Sequence, residues 1–305
     1  MDKTPGQANG WEFTRLIPLS TPFHIMEMKW RTDRIYVEEM IRSLIGSQDE
    51  KGFFRVTAVD TYGVPYANAA LWAIWQYALI HGDAADFLRP LLPALEKYLN
   101  AHETFHTDGK SLLQIEKIHQ RTGKEYQPSY WYFHRFPQDC RDPEGYTWLK
   151  RVDRSVYHYL NMKGMAGLYR RFAMAPEAGR WEEKAARLAQ EIQNKMWEKE
   201  SGFFYDLHWE TEEKAMVKNI VGFYPFWAGI TDSRQSRALS MLEDPALFGT
   251  AAMYPSVAAD CPAYSPAGGW MGQFIKGRDG CVWDGPSWPY TNGIILDMLA
   301  RQSKG

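Results

Sequence analysis

Cysteine, net charge and long apolar runs are all scarce in this chain, and each scarcity excludes something. There are three cysteines, Cys140, Cys261 and Cys281, widely spaced and without a C-x-x-C pair, so neither a disulfide framework nor a cysteine zinc site is expected. They read as reduced thiols of a cytoplasmic protein. No apolar stretch approaches the ~20 residues a membrane helix requires, and none follows Lys3 in the manner of a secretory signal. Lys and Arg number 35 against 37 Asp and Glu, a formal balance of -2, so no global field draws the protein to nucleic acid. Rings, in contrast, are plentiful: 13 Trp, 17 Tyr and 15 Phe in 305 residues. Without a membrane span to account for them, they are expected to line a pocket. The length suits one large domain or two ordinary ones, and it buries a sizeable core.

Helical periodicity dominates. Val37, Met40, Ile41, Leu44 and Ile45 mark one face of a helix over 35–48, and Leu71, Trp75, Ala78 and Leu79 another over 67–81. Phe87, Leu88, Leu91, Leu92, Leu95 and Leu99 predict a helix over 83–104 that Pro90 and Pro93 bend or restart near its beginning. Further helices are expected over 154–174, 177–198, 219–230, 233–243 and 287–301, roughly eight in all, with little strand. Between them run two long irregular stretches, 105–150 and 244–286, rich in Gly, Pro and aromatics. The segment Tyr130-Trp131-Tyr132-Phe133 is too apolar to lie in water, and loops of this length on a rigid scaffold commonly carry function. The stretches 105–150 and 265–287 are expected on one face, lining a common concavity.

Specific residues then carry a resemblance. Trp283-Asp284-Gly285-Pro286-Ser287-Trp288, followed by Asn292, resembles the aromatic-x-Gly-Pro-x-Trp segment of the six-hairpin glycosidases, a clan that includes processing alpha-glucosidase, trehalase and the mannosylglycerate hydrolase-like enzymes. Four more matches occur in the clan's order: Gly82-Asp83 with Phe87-Leu88 and Pro93-Ala94-Leu95, Val152-Asp153, Met196-Trp197 through Tyr205-Asp206, and Gly222 through Ile230. Together they run from about residue 20 to residue 300. The resemblance implies an all-α fold, an (α/α)6 toroid of helical hairpins with long irregular loops on one face. Six hairpins need twelve helices, so the roughly eight readable here imply an incomplete toroid, a single catalytic domain over 1–305 that lacks its C-terminal helices.

The resemblance also implies a chemistry. Glycoside hydrolysis by inversion sets an acid and a base carboxyl roughly 6.5–9.5 Å apart across the scissile bond. The clan's acid lies in a Gly-x-Asp-x-Ser-Pro-Arg-aromatic segment, where this chain has Gly123-Lys124-Glu125-Tyr126-Gln127-Pro128-Ser129-Tyr130. Glu125 thus stands for the acid and Ser129 for the Arg; the alternative is a solvated loop Glu beside Lys124. The clan's base lies downstream of the Gly-Pro segment, whereas this sequence ends at Gly305. Asp284 is the surrogate carboxylate, and it can equally be a ligand of a sugar hydroxyl or a turn residue before Gly285. Trp131, Trp283 and Trp288 are candidate sugar-stacking platforms, two of the three being expected in the cleft, with core packing the alternative. Asn292 is expected at a sugar hydroxyl or else packed in the last helix. Tyr66 falls at the clan's Gln-Pro-Pro position, facing the cleft or the core.

Near the start, Phe23 and His24 match a Trp-Asp-x-x-Phe-His segment that holds the first sugar subsite, with Leu19 and Ser20 in place of Trp and Asp. His24 and Glu27 stand at i, i+3 without a third ligand nearby, so a buried hydrogen-bonded pair is expected rather than a metal site. Asp153 is expected to cap its helix. The resulting expectation is an inverting glycoside hydrolase that takes a small carbohydrate substrate, with no cofactor, metal, nucleic acid or membrane partner. The alternative is a non-catalytic carbohydrate-binding remnant of such an enzyme. An α-solenoid interaction scaffold is disfavoured by the aromatic loops and the missing repeat.

Overall fold

In a computed structural model of the chain, the described residues are 11–12, 15–55, 65–119, 122–136, 145–269 and 282–302. They fall into two compact units, one comprising Met1–Leu112 with Tyr157–Leu188 and the other Leu113–Val156 with Ala189–Gly305. Cys140 and Cys281 lie outside the described residues, and Cys261 is a free thiol.

The first unit opens on a short antiparallel pair, β1 (Trp11–Glu12) and β2 (Arg15–Leu16), and is otherwise helical: α1 (Thr21–Met28), α2 (Ile35–Gly46), α3 (Ala70–Ile80), α4 (Leu92–Phe105), and most of α5 (Val152–Arg171) and α6 (Ala175–Glu191). In α2 the apolar spacing does what it predicts, burying Val37, Met40, Ile41 and Leu44 on one face. The expected interruption near the two prolines is also present. Short helical turns cover Gly82–Leu91, and α4 starts afresh with Pro93 in its first turn, where a missing N–H costs nothing.

The first five residues of helix α3, Ala70 to Ile74, are all buried, so the orphan N–H groups of its first turn cannot turn to water. Asn68 Oδ1 accepts from Ala70 N at 3.0 Å. Asn161, on α5, accepts from Leu71 N at 3.0 Å and Trp72 N at 3.4 Å, and its Nδ2 donates to Asn68 O at 2.7 Å. The backbones meet closely there, since a Cβ on Gly164 would stand 2.5 Å from Leu71 O, and one on Gly167 would enter the Trp75 indole.

The second unit is built around a small antiparallel sheet in the order β3-β4-β7, from β3 (Ile115–Glu116), β4 (Leu149–Lys150) and β7 (Leu207–His208), with Glu116 opposite Leu149 and Leu149 opposite His208. A second pair, β5 (Trp197–Glu198) and β6 (Phe203–Phe204), follows the π turn that ends α6, and the last helix is α7 (Pro289–Gln302). Two expected helices are much reduced. The span 219–230 forms a 3-10 turn at Ile220–Phe223 and a four-residue helix, Tyr224–Trp227, which stops before Gly229 in the left-handed conformation. Only the 3-10 turn Ser236–Leu242 occupies 233–243. One further helix, α1, occupies a segment read as a subsite.

The aromatic loop is the main correction to the sequence reading. Tyr126, Tyr130 and Trp131 do not line a pocket. With Leu149, Ala215 and Val282 they form a buried core cluster of the second unit, and Tyr132, Phe133, Phe136 and Tyr146 pack against it. A loop between short elements offers no apolar helix face to bury, so its own rings supply the core.

Candidate active site

Glu125 sits in a tight turn. Gly123 and Tyr126 on either side have positive φ, of 76° and 58°, the latter a conformation few non-glycine residues adopt. Tyr126 N donates to His119 O, and the Glu125 backbone pairs in parallel with Val282, its carbonyl accepting from Trp283 N at 3.0 Å. The segments 122–136 and 282–288 therefore meet, as expected of two loops sharing one face; residues 270–281 lie outside the described residues.

Glu125 is 8% exposed, and its Oε1 accepts from Gly123 N at 3.1 Å. Burial raises its pKa above the ordinary glutamate value, against the opposing pull of the backbone N–H groups and of Lys124. A solvated loop Glu would show no such burial. The residue is sheltered and keeps a small accessible surface.

Asp284 is placed one residue beyond the Trp283 that bonds Glu125, but its carboxylate has no surface a water can reach. Oδ2 accepts from Gly269 N at 2.7 Å, its carbonyl accepts from Ser265 N at 2.8 Å, and a Cβ on Gly285 would strike Ser265 O. A general base must touch the attacking water, so the base role read for Asp284 is corrected. Of the three readings, the turn residue fits, with Asp284 anchoring 265–269 to the 282–285 segment.

The tryptophans divide. Trp131 and Trp283 are buried, at 0% and 2% exposed, so the expectation that two of the three rings line a cleft fails, and Trp288 alone of the three is left as a candidate. Trp131 meets Tyr126, Tyr130, Tyr146 and His119 ring to ring. Trp288 is half-buried, stacked on Trp283 with centroids 5.7 Å apart and planes within 13°, its Nε1 donating to Val282 O at 2.9 Å. On α7, Asn292 donates through Nδ2 to Met253 O at 2.8 Å, while its Oδ1 is buried without a hydrogen-bond partner.

Tyr66, His24 and Glu27 belong to the first unit. Tyr66 is half-buried just ahead of α3. His24 is half-buried with Nδ1 lacking a hydrogen-bond partner, and Glu27 is exposed, so they do not form the buried pair expected of them. Among the described residues, no group of three His, Cys, Asp or Glu side chains is disposed to hold a metal ion.

Sequence reasoning missed the charges beneath the Glu125 turn. Asp153 lies in the first turn of α5 and accepts from Arg154 N, while the carboxylate that receives the N–H of Val152, at 2.9 Å, belongs to Asp206. Asp153 also pairs with Lys124 and Arg151. Although burial opposes ionisation, these two cations hold its carboxyl well below the usual range. The available signal was Arg151-Val152-Asp153, two opposite charges flanking a valine at the head of an apolar helix.

Comparison with known proteins bears on this arrangement. The family described as the Mannosylglycerate hydrolase MGH1-like glycoside hydrolase domain matches residues 14–304. A cytosolic neutral trehalase of Kluyveromyces lactis is 29% identical over 127 residues, which is 40% of this chain and 15% of that protein, so the match spans a small part of that relative's length. Among solved structures, the GH63 mannosylglycerate hydrolase of Thermus thermophilus in complex with glucose is similar with a TM-score of 0.71 at 15% identity, over 94% of this chain and 81% of that one. The neutral trehalase of Saccharomyces cerevisiae gives 0.61 at 16% identity, over 96% and 62%. At such identities the likeness shows the fold, that of the (α/α)6 glycosidases. No helix among the described residues is long and apolar enough to cross a membrane.

Proposed function

The chain belongs to the mannosylglycerate hydrolase MGH1-like glycoside hydrolase domain family, and on that premise we propose that it hydrolyses a small, compact glycoside by inversion, with Glu125 as the general acid. The carrying observation is Glu125 itself, buried and raised in pKa, on a turn whose backbone pairs with Val282–Trp283 and whose sequence resembles the clan's acid segment. Such a group holds its proton at pH values where an exposed glutamate has lost it. It can therefore deliver that proton to the glycosidic oxygen as the bond to the anomeric carbon breaks. Trp288 is the proposed platform for a sugar face. Asn292 Oδ1 is a proposed contact to a sugar hydroxyl.

A compact substrate is favoured by the names of the similar proteins, a mannosylglycerate hydrolase and two trehalases, whose substrates are small. The single-domain reading of 1–305 is supported by a family match that runs unbroken over 14–304. A second reading, carbohydrate binding without turnover, is favoured by the sealed carboxylate of Asp284, which leaves the base unassigned.

A panel of nitrophenyl glycosides together with disaccharides and glycosyl-glycerates, assayed for hydrolysis and by calorimetry for binding, separates the two. Release of the anomer opposite to the substrate's supports the enzyme. Sugar binding with no release supports the second reading, and neither binding nor release contradicts both.

A further inference from the structure

The turn that presents Glu125 is tied down from beneath, and its ties converge on the start of α5. Lys124 Nζ lies 2.8 Å from Asp153 Oδ2, Gln127 Oε1 accepts from Arg151, and Ser129 Oγ donates to Asp206 Oδ2 at 3.0 Å. Arg151 is the hub, with Nε 3.4 Å from Asp153 Oδ1 and 3.3 Å from Asp206 Oδ1, and the guanidinium 4.9 Å from the centre of the Tyr130 ring. All of these side chains are buried, where a displaced charge is expensive.

Lys124 is the residue next to Glu125, and its charge favours the ionised carboxylate, the wrong state for an acid. Its ammonium is nevertheless turned onto Asp153. Lys124 is the charged group that acts on Glu125; behind it Asp153 pairs with Lys124 and Arg151 with Asp153, and Asp284 follows the Trp283 whose N–H bonds the Glu125 carbonyl. Tyr290 of α7 adds a titratable ring 5.6 Å from Lys124 Nζ.

We propose that Asp153 is a positioning residue for Glu125: by holding Lys124 it fixes the turn that presents the acid and limits how far the lysine charge favours the ionised carboxylate. The role rests on the reading of Glu125 as the acid. Its physical content is a neutralised pair, so loss of either partner moves the Glu125 proton equilibrium in opposite directions. Asp153→Asn takes the carboxylate partner from the Lys124 ammonium and lowers the pKa; Lys124→Met removes the charge that favours the carboxylate and raises it.

The test is a 13C titration of the Glu125 side-chain carboxyl by NMR, identified by difference against Glu125→Gln, in the full chain. Asp153→Asn is expected to lower the Glu125 pKa by about 1 unit, the scale of one close charge, and Lys124→Met to raise it. Asp153→Asn combined with Lys124→Met should return it near the original value. On any glycoside the protein cleaves, the basic limb of the kcat–pH profile should move with the titration while KM changes less.

A folded Asp153→Asn variant whose Glu125 titrates unchanged overturns the proposal. If that variant does not fold, a Lys124→Met variant without a raised pKa overturns it equally, and a rise cancelled in the double variant supports it. Failure of the glycosidase reading looks different, with the titration shifts present and no glycoside hydrolysed by the unsubstituted protein.

Discussion

Asn161 takes on the donors that a buried helix start would otherwise leave bare. Its Oδ1 serves Leu71 N and Trp72 N, and its Nδ2 reaches Asn68 O, whose own side chain holds Ala70 N. Asn161→Leu keeps the approximate volume and removes both acceptor and donor. Each stranded buried N–H costs about 1–3 kcal/mol, so a loss of at least about 2 kcal/mol is expected in denaturant titration. Glu125 invites a second residue-scale measurement that needs no substrate. Its folded-state pKa is raised by burial, so its proton favours the folded state. That contribution is fully present below the ordinary glutamate value, about 4.3, and is lost as pH rises through the raised one. Glu125→Gln cannot ionise, so its melting temperature relative to the unsubstituted protein should climb from acid toward neutral pH. A difference independent of pH would show that the carboxyl is not buried as described.

Among the elements, the α3–α5 crossing is set by glycines. A methyl on Gly164 would stand 2.5 Å from a backbone carbonyl that cannot swing aside, so Gly164→Ala should destabilise by about 3 kcal/mol, the upper end for overpacking. A methyl on Gly179 of α6 would meet nothing within 4 Å, and Gly179→Ala should stabilise by about 0.5–1 kcal/mol through helix propensity. Thermal melts of the two variants test this contrast directly. Elements of this kind were legible in the sequence because an amphipathic stripe such as Val37-Met40-Ile41-Leu44 repeats locally. The spans 219–230 and 233–243 misled because apolar residues recur there as well, yet they pack in short turns, and Gly229 in the left-handed conformation closes the first. The pairs that support the site were not legible. Ser129 and Asp206 stand 77 residues apart, and a ring-rich loop has the same composition whether its rings face a sugar or, as for Trp131, the core.

For the whole molecule, the central claim is that one sheltered carboxyl on the second unit donates the proton in glycoside cleavage. Five motif matches in order made the family readable, and the family match over 14–304 agrees with them; burial of the individual site residues had to come from the structure. The claim is tested most directly by comparing kcat for the unsubstituted protein and Glu125→Gln on two substrates with the same sugar, one an aryl glycoside with a good leaving group and one an alkyl or sugar glycoside with a poor one. General acid catalysis contributes typically ~10²–10⁴-fold, and it matters most where the leaving group departs poorly. The account predicts a loss of that order on the poor leaving group, a much smaller loss on the aryl glycoside, and nearly unchanged sugar binding. Equal losses on both substrates, or full activity of Glu125→Gln on the poor one, would contradict it.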